Sequence, residues 1–455
     1  MSLNARSFTS ISDLFTADRS GRSKVAFTAN SAISWLTFTS DVAHNSARMK
    51  ANRAQRIALC FEDSYLFAVG FFAACLANKS LVLPGNYQPE AVRELSEHFD
   101  LLLHDHVIAL ESGIETSQIE PASTDVELEK TTLASEEIAL VLFTSGSSGQ
   151  PKAISKTLHQ LETEVAILDS LWGEKLAASN IESTVSHQHI YGLLFRVLWP
   201  LCAGRPFATR NLEFPEQVVH HANPNTTLIS SPALLKRLTQ EHQSAEIRAV
   251  FSSGGPLPTT AAEHCLALFN QRPIEVFGST ETGGIAHRQQ LSASTPWQLF
   301  PGVTAELNSE RCLRLKSPHI DGDNWYQTAD ECRFHASMTF ELLGRTDRVV
   351  KVEEKRISLV EVEKRLDQLN WISESAVITM TEGNRLSLYA VIVLTASGEM
   401  EIERLGKGKF WLALRKALRD WLEPIAIPRK FRLVKEIPLN SQGKRQVAEI
   451  EKQFQ

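Results

Sequence analysis

Val141-Leu-Phe-Thr-Ser-Gly-Ser-Ser-Gly-Gln-Pro-Lys152 is the segment from which the rest of this 455-residue chain is best understood. An apolar, strand-like run from Ile138 to Phe143 breaks into Thr144, Ser145, Gly146, Ser147, Ser148 and Gly149, with Pro151 and Lys152 just beyond. Every residue in the break is small, hydroxylated or glycine. Glycines let backbone N–H groups converge on an anion without interference from a Cβ, and hydroxyls add donors. Lys152 supplies positive charge. This is the chemistry of a loop that wraps nucleotide phosphates, on a spacing that the Walker pattern G-x-x-x-x-G-K-[ST] does not fit. Taken alone, the composition also suits a Ser/Gly surface linker.

Around this loop the chain alternates strand and helix. Ile57 to Phe61 reads as a buried strand, Tyr65 to Ala77 as a helix, Leu81 to Pro84 as a strand and Pro89 to Phe99 as a helix. Beyond the loop, the pattern predicts a helix over 155–171. Strands follow at 227–230, 248–252 and 274–277, with a helix at 232–238. Such alternation implies a parallel sheet covered by helices. After about residue 290 the elements become short strands, such as 305–307 and 312–315. A separate α+β unit is expected after Asp347. It has a hairpin at 349–352 and 356–359, a helix at 360–369, and strands at 374–380 and 386–394. An amphipathic helix at 409–422 places Phe410, Trp411, Leu414, Leu418, Trp421 and Leu422 on one face.

Four more segments follow the loop in order: Val276-Phe-Gly-Ser-Thr-Glu-Thr-Gly-Gly284, Trp325-Tyr-Gln-Thr-Ala-Asp330, Gly344-Arg-Thr-Asp-Arg-Val-Val-Lys351 with Lys355-Arg-Ile-Ser-Leu-Val-Glu-Val-Glu363, and Pro438-Leu-Asn-Ser-Gln-Gly-Lys444. Any one of them is a weak signal. The five together, spanning about residues 20 to 450, resemble the adenylate-forming (AMP-binding) superfamily of acyl- and aryl-CoA synthetases, luciferases and peptide-synthetase adenylation domains. The resemblance implies a large α/β N-terminal domain with mixed sheets over residues 1–346. It also implies a small mobile α+β C-terminal lid domain over 347–455 that carries the catalytic lysine.

The resemblance assigns roles that fit the residue types. Thr144, Ser145, Gly146, Ser147, Ser148, Gly149 and Lys152 would hold the β- and γ-phosphates of ATP. Thr280 would bind the α-phosphate. Glu281 would hold Mg²⁺, a hard cation that takes carboxylate oxygen. Phe277 and Gly278 would lie along the adenine, with Phe277 where the family commonly has tyrosine. Gly254 and Gly255 would run beside the adenine and acid pocket, where a side chain would clash. Asp330 and Arg345 would contact the ribose, with Ala329 in place of the family's glycine. Asp347 would be the hinge, and Lys444 would bridge carboxylate and α-phosphate oxygens during catalysis. His189, in His187-Gln-His-Ile-Tyr-Gly192, aligns with the family's histidine near the carboxylate; a hydrogen-bonded core histidine pair is the equal alternative.

The implied activity is ATP-dependent conversion of a carboxylic acid to acyl-AMP, with release of pyrophosphate. Transfer to the pantetheine thiol of an acyl carrier protein or CoA would follow. No carboxylate between Ser186 and Gly192 is available to pair with an α-ammonium, which points to fatty, hydroxy or aromatic acids. Thioester-forming relatives carry a glycine in a K-x-x-G-x-R-I motif where this chain has Glu354. That departure leaves open a stand-alone adenylate-forming enzyme. A non-catalytic binding relative is the alternative from another class, and intact Lys444, Glu281 and Asp330 argue against it. A kinase is disfavoured because its lysine and catalytic-loop motifs are missing.

Composition narrows the field. Apolar content of 43% and charged content of 22% are ordinary globular values. A net charge of −6 argues against nucleic acid or an anionic membrane as partner. The six cysteines form no CxxC pair and read as buried thiols of a cytoplasmic protein. The most apolar run, 65–77, is too short to span a bilayer.

Overall fold

The computed structural model describes residues 8–455 apart from 86–87, 106–113, 127, 146–150, 240–241, 337, 353–354, 383–384, 420, 423 and 441–444. The chain divides into two units: Met1–Thr304 with Lys316–Trp325, and Ala305–Leu315 with Tyr326–Gln455. This division follows packing. The boundary expected at Asp347 is of another kind, a hinge for rotation, and remains a proposal.

In the first unit, the helix Ser64–Leu76 illustrates how local sequence and burial cooperate. Asp63 caps it, its carboxylate accepting the N–H groups of Tyr65 and Leu66. The helix is apolar on every side because every side is covered: Phe67, Val69, Phe71 and Phe72 are fully buried. Among the described residues no helix is long and apolar enough to cross a membrane.

Two sheets frame this unit. Among the described residues, the first orders its strands Thr116–Gln118, Leu101–His104, Arg56–Cys60, Ser80–Leu83, Ala139–Ser145 and Pro151–Thr157. All neighbours run parallel except the last pair, which is antiparallel. The second sheet runs parallel through Phe207–Ala208, Asn180–Ser183, Thr226–Ser230, Ala249–Ser252 and Ile274–Ser279. It then turns antiparallel into Gly283–Arg288. The parallel strands expected from the alternating pattern are therefore present, and the antiparallel pairs beyond them make the sheets mixed, as the resemblance implies.

One expectation fails at an important place. The helix predicted from Ser155 begins only at Leu158, and Pro151–Thr157 is a strand instead. Its β-branched and polar residues pair back onto the strand before the phosphate loop, and Thr157 ends it as the cap of helix Leu158–Trp172. Lys152 consequently sits on a strand.

The second unit holds the sheet Ile372–Glu382, Arg385–Leu394 and Lys430–Leu433. Its middle strand alternates faces with period two. Leu388, Ala390 and Ile392 join a core with Val362, Leu366, Phe410, Leu414 and Leu418. Tyr389 and Val391 join another with Ala376, Ile378, Ile437 and Ile450. The hairpin Val349–Val352 with Lys355–Ser358 is antiparallel, as expected. Helix Lys407–Leu418 buries Phe410, Leu414 and Leu418 but stops before Trp421, which is 61% exposed with the Arg365 guanidinium over its ring. The apolar face predicted to run to Leu422 is thus shorter than its spacing suggested, because the helix ends first.

Candidate active site

The phosphate-loop segment is the mouth of a hairpin. Strands Ala139–Ser145 and Pro151–Thr157 pair Thr144 with Lys152 and Ser145 with Pro151. Gly146, Ser147, Ser148 and Gly149 lie outside the described residues. From this strand Lys152 reaches the second sheet, its ammonium donating to Oε1 of Glu281 at 2.7 Å. Residues 144 and 152 are therefore gathered in one place with residue 281, 129 positions beyond Lys152.

Thr280 and Glu281 form the tip between strands Ile274–Ser279 and Gly283–Arg288. The tip is tight. Ser279 N–H donates to Thr282 Oγ1 at 2.9 Å, and Thr282 N–H returns a bond to Ser279 Oγ at 3.2 Å. A Cβ on Gly278 would stand 2.0 Å from the Gly283 carbonyl oxygen, and Gly283 has φ +63°. Only glycine closes the hairpin at these points. Burial pushes the Glu281 carboxyl up, but the Lys152 ammonium and local hydrogen bonds hold it below the ordinary carboxylate range.

Behind the tip lies a polar cluster absent from the sequence reading. Lys156, 4% exposed, donates to the Glu281 carbonyl oxygen at 3.0 Å. Glu164, 2% exposed on helix Leu158–Trp172, accepts the Gly284 N–H at 2.7 Å. His319 is fully buried beside them, bonded to Ser317 Oγ at 2.9 Å. Burial lowers the Lys156 ammonium below its ordinary value, opposed by Glu164 and Glu281. A signal for Glu164 exists in the sequence. It interrupts the apolar stripe Leu158, Leu161, Val165, Leu168 and Trp172 with a carboxylate. Lys156 was obscured by the helix expected at that position.

Phe277 packs against Trp297 with ring centroids 5.4 Å apart. Ser253 Oγ donates to the Val276 carbonyl at 2.8 Å, which draws the 253–255 loop to this strand. Gly254 has φ +94°. A Cβ on Gly255 would meet nothing within 4 Å, so a clash there does not come from the protein itself.

His187 and His189 separate in role. His187 is buried, with Nδ1 2.8 Å from Ser64 Oγ and Nε2 3.0 Å from the Phe61 carbonyl oxygen. Burial, with Arg196 nearby, pushes it well below the ordinary histidine value, so it is a neutral core residue. His189 is part-exposed and lies against Gly85. A Cβ on Gly85, whose φ is +74°, would stand 2.6 Å from the Phe143 carbonyl oxygen and 3.4 Å from His189 Cε1. His189 is thus beside the residue that precedes Thr144.

In the second unit, Asp330 and Arg345 are paired across antiparallel strands, with Arg345 Nη1 3.1 Å from Asp330 Oδ1. Asp347 lies in the turn Thr346–Arg348. Lys444 is outside the described residues. Its neighbour Arg445 bridges to Leu439, and Arg445 Nη1 reaches Glu363 Oε1 at 2.7 Å.

Glu281 fits the metal expected from the sequence. It offers a hard anionic oxygen, and the described residues contain no group of three or more His, Cys, Asp or Glu that could hold a metal ion. One carboxylate completed by phosphate and water is the usual arrangement for Mg²⁺.

The phosphate-loop hairpin and the Thr280–Glu281 tip of the first unit, and separately the Asp330–Arg345 pair of the second, carry segments that resemble the adenylate-forming class of enzymes. A family model described as AMP-binding enzyme matches residues 15–310, and the chain belongs to that family. It is 26% identical over 311 residues to 4-coumarate–CoA ligase from Rhodobacter capsulatus, covering 68% of this chain and 75% of that protein. It is 24% identical over 407 residues to D-alanine–D-alanyl carrier protein ligase from Staphylococcus aureus, covering 80% of each. Two further curated relatives are matched over 61% and 66% of their own length. The crystal structure of ATP-bound MatB from Rhodopseudomonas palustris has TM-score 0.79 at 18% identity, covering 97% of this chain and 99% of that one. The two share a fold.

Proposed function

We propose that this protein is an AMP-forming acid–thiol ligase. It joins a carboxylic acid to ATP as acyl-AMP and then passes the acyl group to a pantetheine thiol. The observation that carries the reading is the Lys152–Glu281 contact, which brings the phosphate-loop hairpin and the Thr280–Glu281 tip together. A carboxylate is a poor electrophile. Its oxygen attacks the α-phosphorus of ATP, the bond to the β-phosphate oxygen breaks, and pyrophosphate leaves. The thiol sulfur then attacks the acyl carbon and AMP departs. Glu281 would hold Mg²⁺, which would supply neutralisation of phosphate charge. Thr144 and Lys152 hold the outer phosphates, Thr280 the α-phosphate, Phe277 and Gly278 the adenine, and Asp330 with Arg345 the ribose. His189 faces the acid, and Lys444 bridges the reacting oxygens while Asp347 serves as hinge.

The acid is a fatty, hydroxy or aromatic one. A buried ammonium without a partner costs several kcal/mol, roughly enough to exclude it, and residues 186–192 offer no carboxylate. Pyrophosphate exchange with a panel of acids tests both levels. AMP and pyrophosphate are the expected products. ADP as product defeats the reaction type, and a proteinogenic amino acid outperforming every simple acid defeats the substrate class.

A further inference from the structure

Strand Pro151–Thr157 grips one residue of the second sheet at two points. Lys152 and Lys156, four apart, share a face of the strand, since side chains alternate along it. Lys152 takes the Glu281 carboxylate and Lys156 takes the Glu281 carbonyl. Gly284, three residues past Glu281, donates its N–H to Glu164. Both ends of the tip are thus tied to buried, oppositely charged side chains. The site has no slack behind it: a Cβ on Gly283 would fall 2.3 Å from Glu164 Oε2 and 2.9 Å from His319 Cδ2.

We propose that Lys156 and Glu164 form a buried clamp that fixes the Thr280–Glu281 tip, making them positioning residues for binding of the nucleotide and its metal. The inference rests on the assignment of Glu281 made above. Neither residue is expected to touch substrate. An ordinary core hydrophobe would fill the volume of Lys156 but would leave the Glu281 carbonyl without its donor. The tip would then lose the restraint that sets the direction of the Glu281 carboxylate. Groups that orient a metal ligand from behind typically change metal affinity or activity by about 10–100-fold when removed.

The test compares Lys156→Met, Lys156→Arg, Glu164→Gln and the double variant Lys156→Met/Glu164→Gln with wild type and Glu281→Gln. Three quantities are read: the thermal unfolding midpoint, ATP affinity by calorimetry across Mg²⁺ concentrations, and kcat and KM for pyrophosphate release. Lys156→Met is expected to weaken Mg²⁺-dependent ATP binding roughly 10–100-fold, with Lys156→Arg recovering part of the loss. Glu164→Gln keeps an acceptor for Gly284 and is expected to change affinity only a few-fold. If Lys156→Met leaves too little folded protein, the double variant, which carries neither buried charge, reports the same loss. Variants that unfold earlier but bind Mg²⁺ and ATP as wild type does would overturn the clamp. Glu281→Gln separates the two claims. If it leaves the Mg²⁺ dependence unchanged, the metal assignment fails and the clamp fails with it. If it abolishes that dependence while the Lys156 variants keep it, only the clamp is lost.

Discussion

The Lys152 ammonium stands 2.7 Å from Glu281 Oε1, joining two segments 129 residues apart. The Lys152 side chain is 56% exposed and that of Glu281 23%. A pair this accessible is worth about 0–1 kcal/mol, so a cation and phosphates readily replace it. With the pair opened, the Glu281 carboxylate would be free to hold Mg²⁺ and the Lys152 ammonium to meet phosphate oxygen. Glu281→Gln is expected to lower acyl-AMP formation about 10²–10³-fold, the usual effect of removing one fixed group that stabilises transition-state charge. It should also raise the Mg²⁺ requirement. Pyrophosphate release measured over a range of Mg²⁺ concentrations checks this, and a wild-type profile removes Glu281 from the site.

Lys444 follows Gly443, and its neighbour Arg445 is anchored on Glu363. A cation aimed at charge developing on the α-phosphate is worth about 10²–10³ in rate. Lys444→Ala should slow adenylation by that factor while leaving ATP affinity nearly unchanged. Single-turnover acyl-AMP formation beside equilibrium ATP binding separates the two, and near-normal pyrophosphate exchange would remove the residue from the mechanism.

Glu363 organises the second unit around that anchor. Its Oε1 lies 2.6 Å from Arg348 Nη2, 2.7 Å from Arg445 Nη1 and 2.7 Å from the Val377 N–H. The carboxylate side chain is only 7% exposed. Glu363→Gln leaves two guanidinium groups facing a neutral amide. The Arg348 and Arg445 side chains are 31% and 30% exposed and keep some contact with water, so the expected loss is about 1.5–3 kcal/mol, the usual worth of a hydrogen bond to a charged group. Urea titration of the full chain should show the second unit unfolding at clearly lower denaturant. Coincident curves would mean the arginines find solvent or other partners at no cost.

His187 sets a pH dependence in the first unit. Burial keeps it neutral in the fold, with its pKa well below the ordinary 6.5. The unfolded chain takes up a proton near pH 6.5 that the native state refuses. The stabilisation is therefore complete above that pH and is lost as pH falls below it. One such proton corresponds to about 1.4 kcal/mol per pH unit. His187→Asn should flatten the fall in stability between about pH 6.5 and 5 by up to that amount. Unfolding midpoints of both proteins across this range decide it, and identical slopes would contradict the assignment.

The break after Phe143 was legible in local chemistry, as small, hydroxylated and glycine residues after an apolar run. The Thr280–Glu281 pair and Asp330 were singled out only because five weak segments, in order, resemble one family. What was not legible depends on pairing. Pro151–Thr157 carries lysines and a serine that suit a helix start as well as a strand, and only its ladder to Ala139–Ser145 decides the matter. With that strand misread, Lys156 had no visible partner. Glu164 was hidden for a related reason: a lone carboxylate in an apolar stripe states that it is buried, not whose N–H it receives. Likewise, nothing local tells His187 from His189. Ser64 and Phe61 settle the first, and both come from a distant part of the chain.

The choice of acceptor turns on two features of the second unit. Glu354 stands where thioester-forming relatives have glycine, beside the expected pantetheine path, and it lies outside the described residues. An acid there adds bulk and negative charge, which disfavours the phosphorylated nucleotide of free CoA. A carrier protein brings only its pantetheine arm, on a surface that is usually acidic. Helix Lys407–Leu418 offers a matching face. Phe410, Leu414 and Leu418 point inward, while Lys409, Lys416 and Arg419 are exposed alongside Leu412 at 64%. Arg415 is less available, since it donates to the Arg429 carbonyl. The expected preference is therefore for a carrier protein. Thioester formation with holo-carrier protein and with CoA, measured side by side, should favour the carrier in wild type. Glu354→Gly should shift the balance toward CoA, and reversal of Lys409, Lys416 and Arg419 to glutamate should weaken only the carrier reaction. Efficient use of CoA by wild type, unchanged in Glu354→Gly, would show that this glutamate does not guard the path and would leave the carrier preference without its basis.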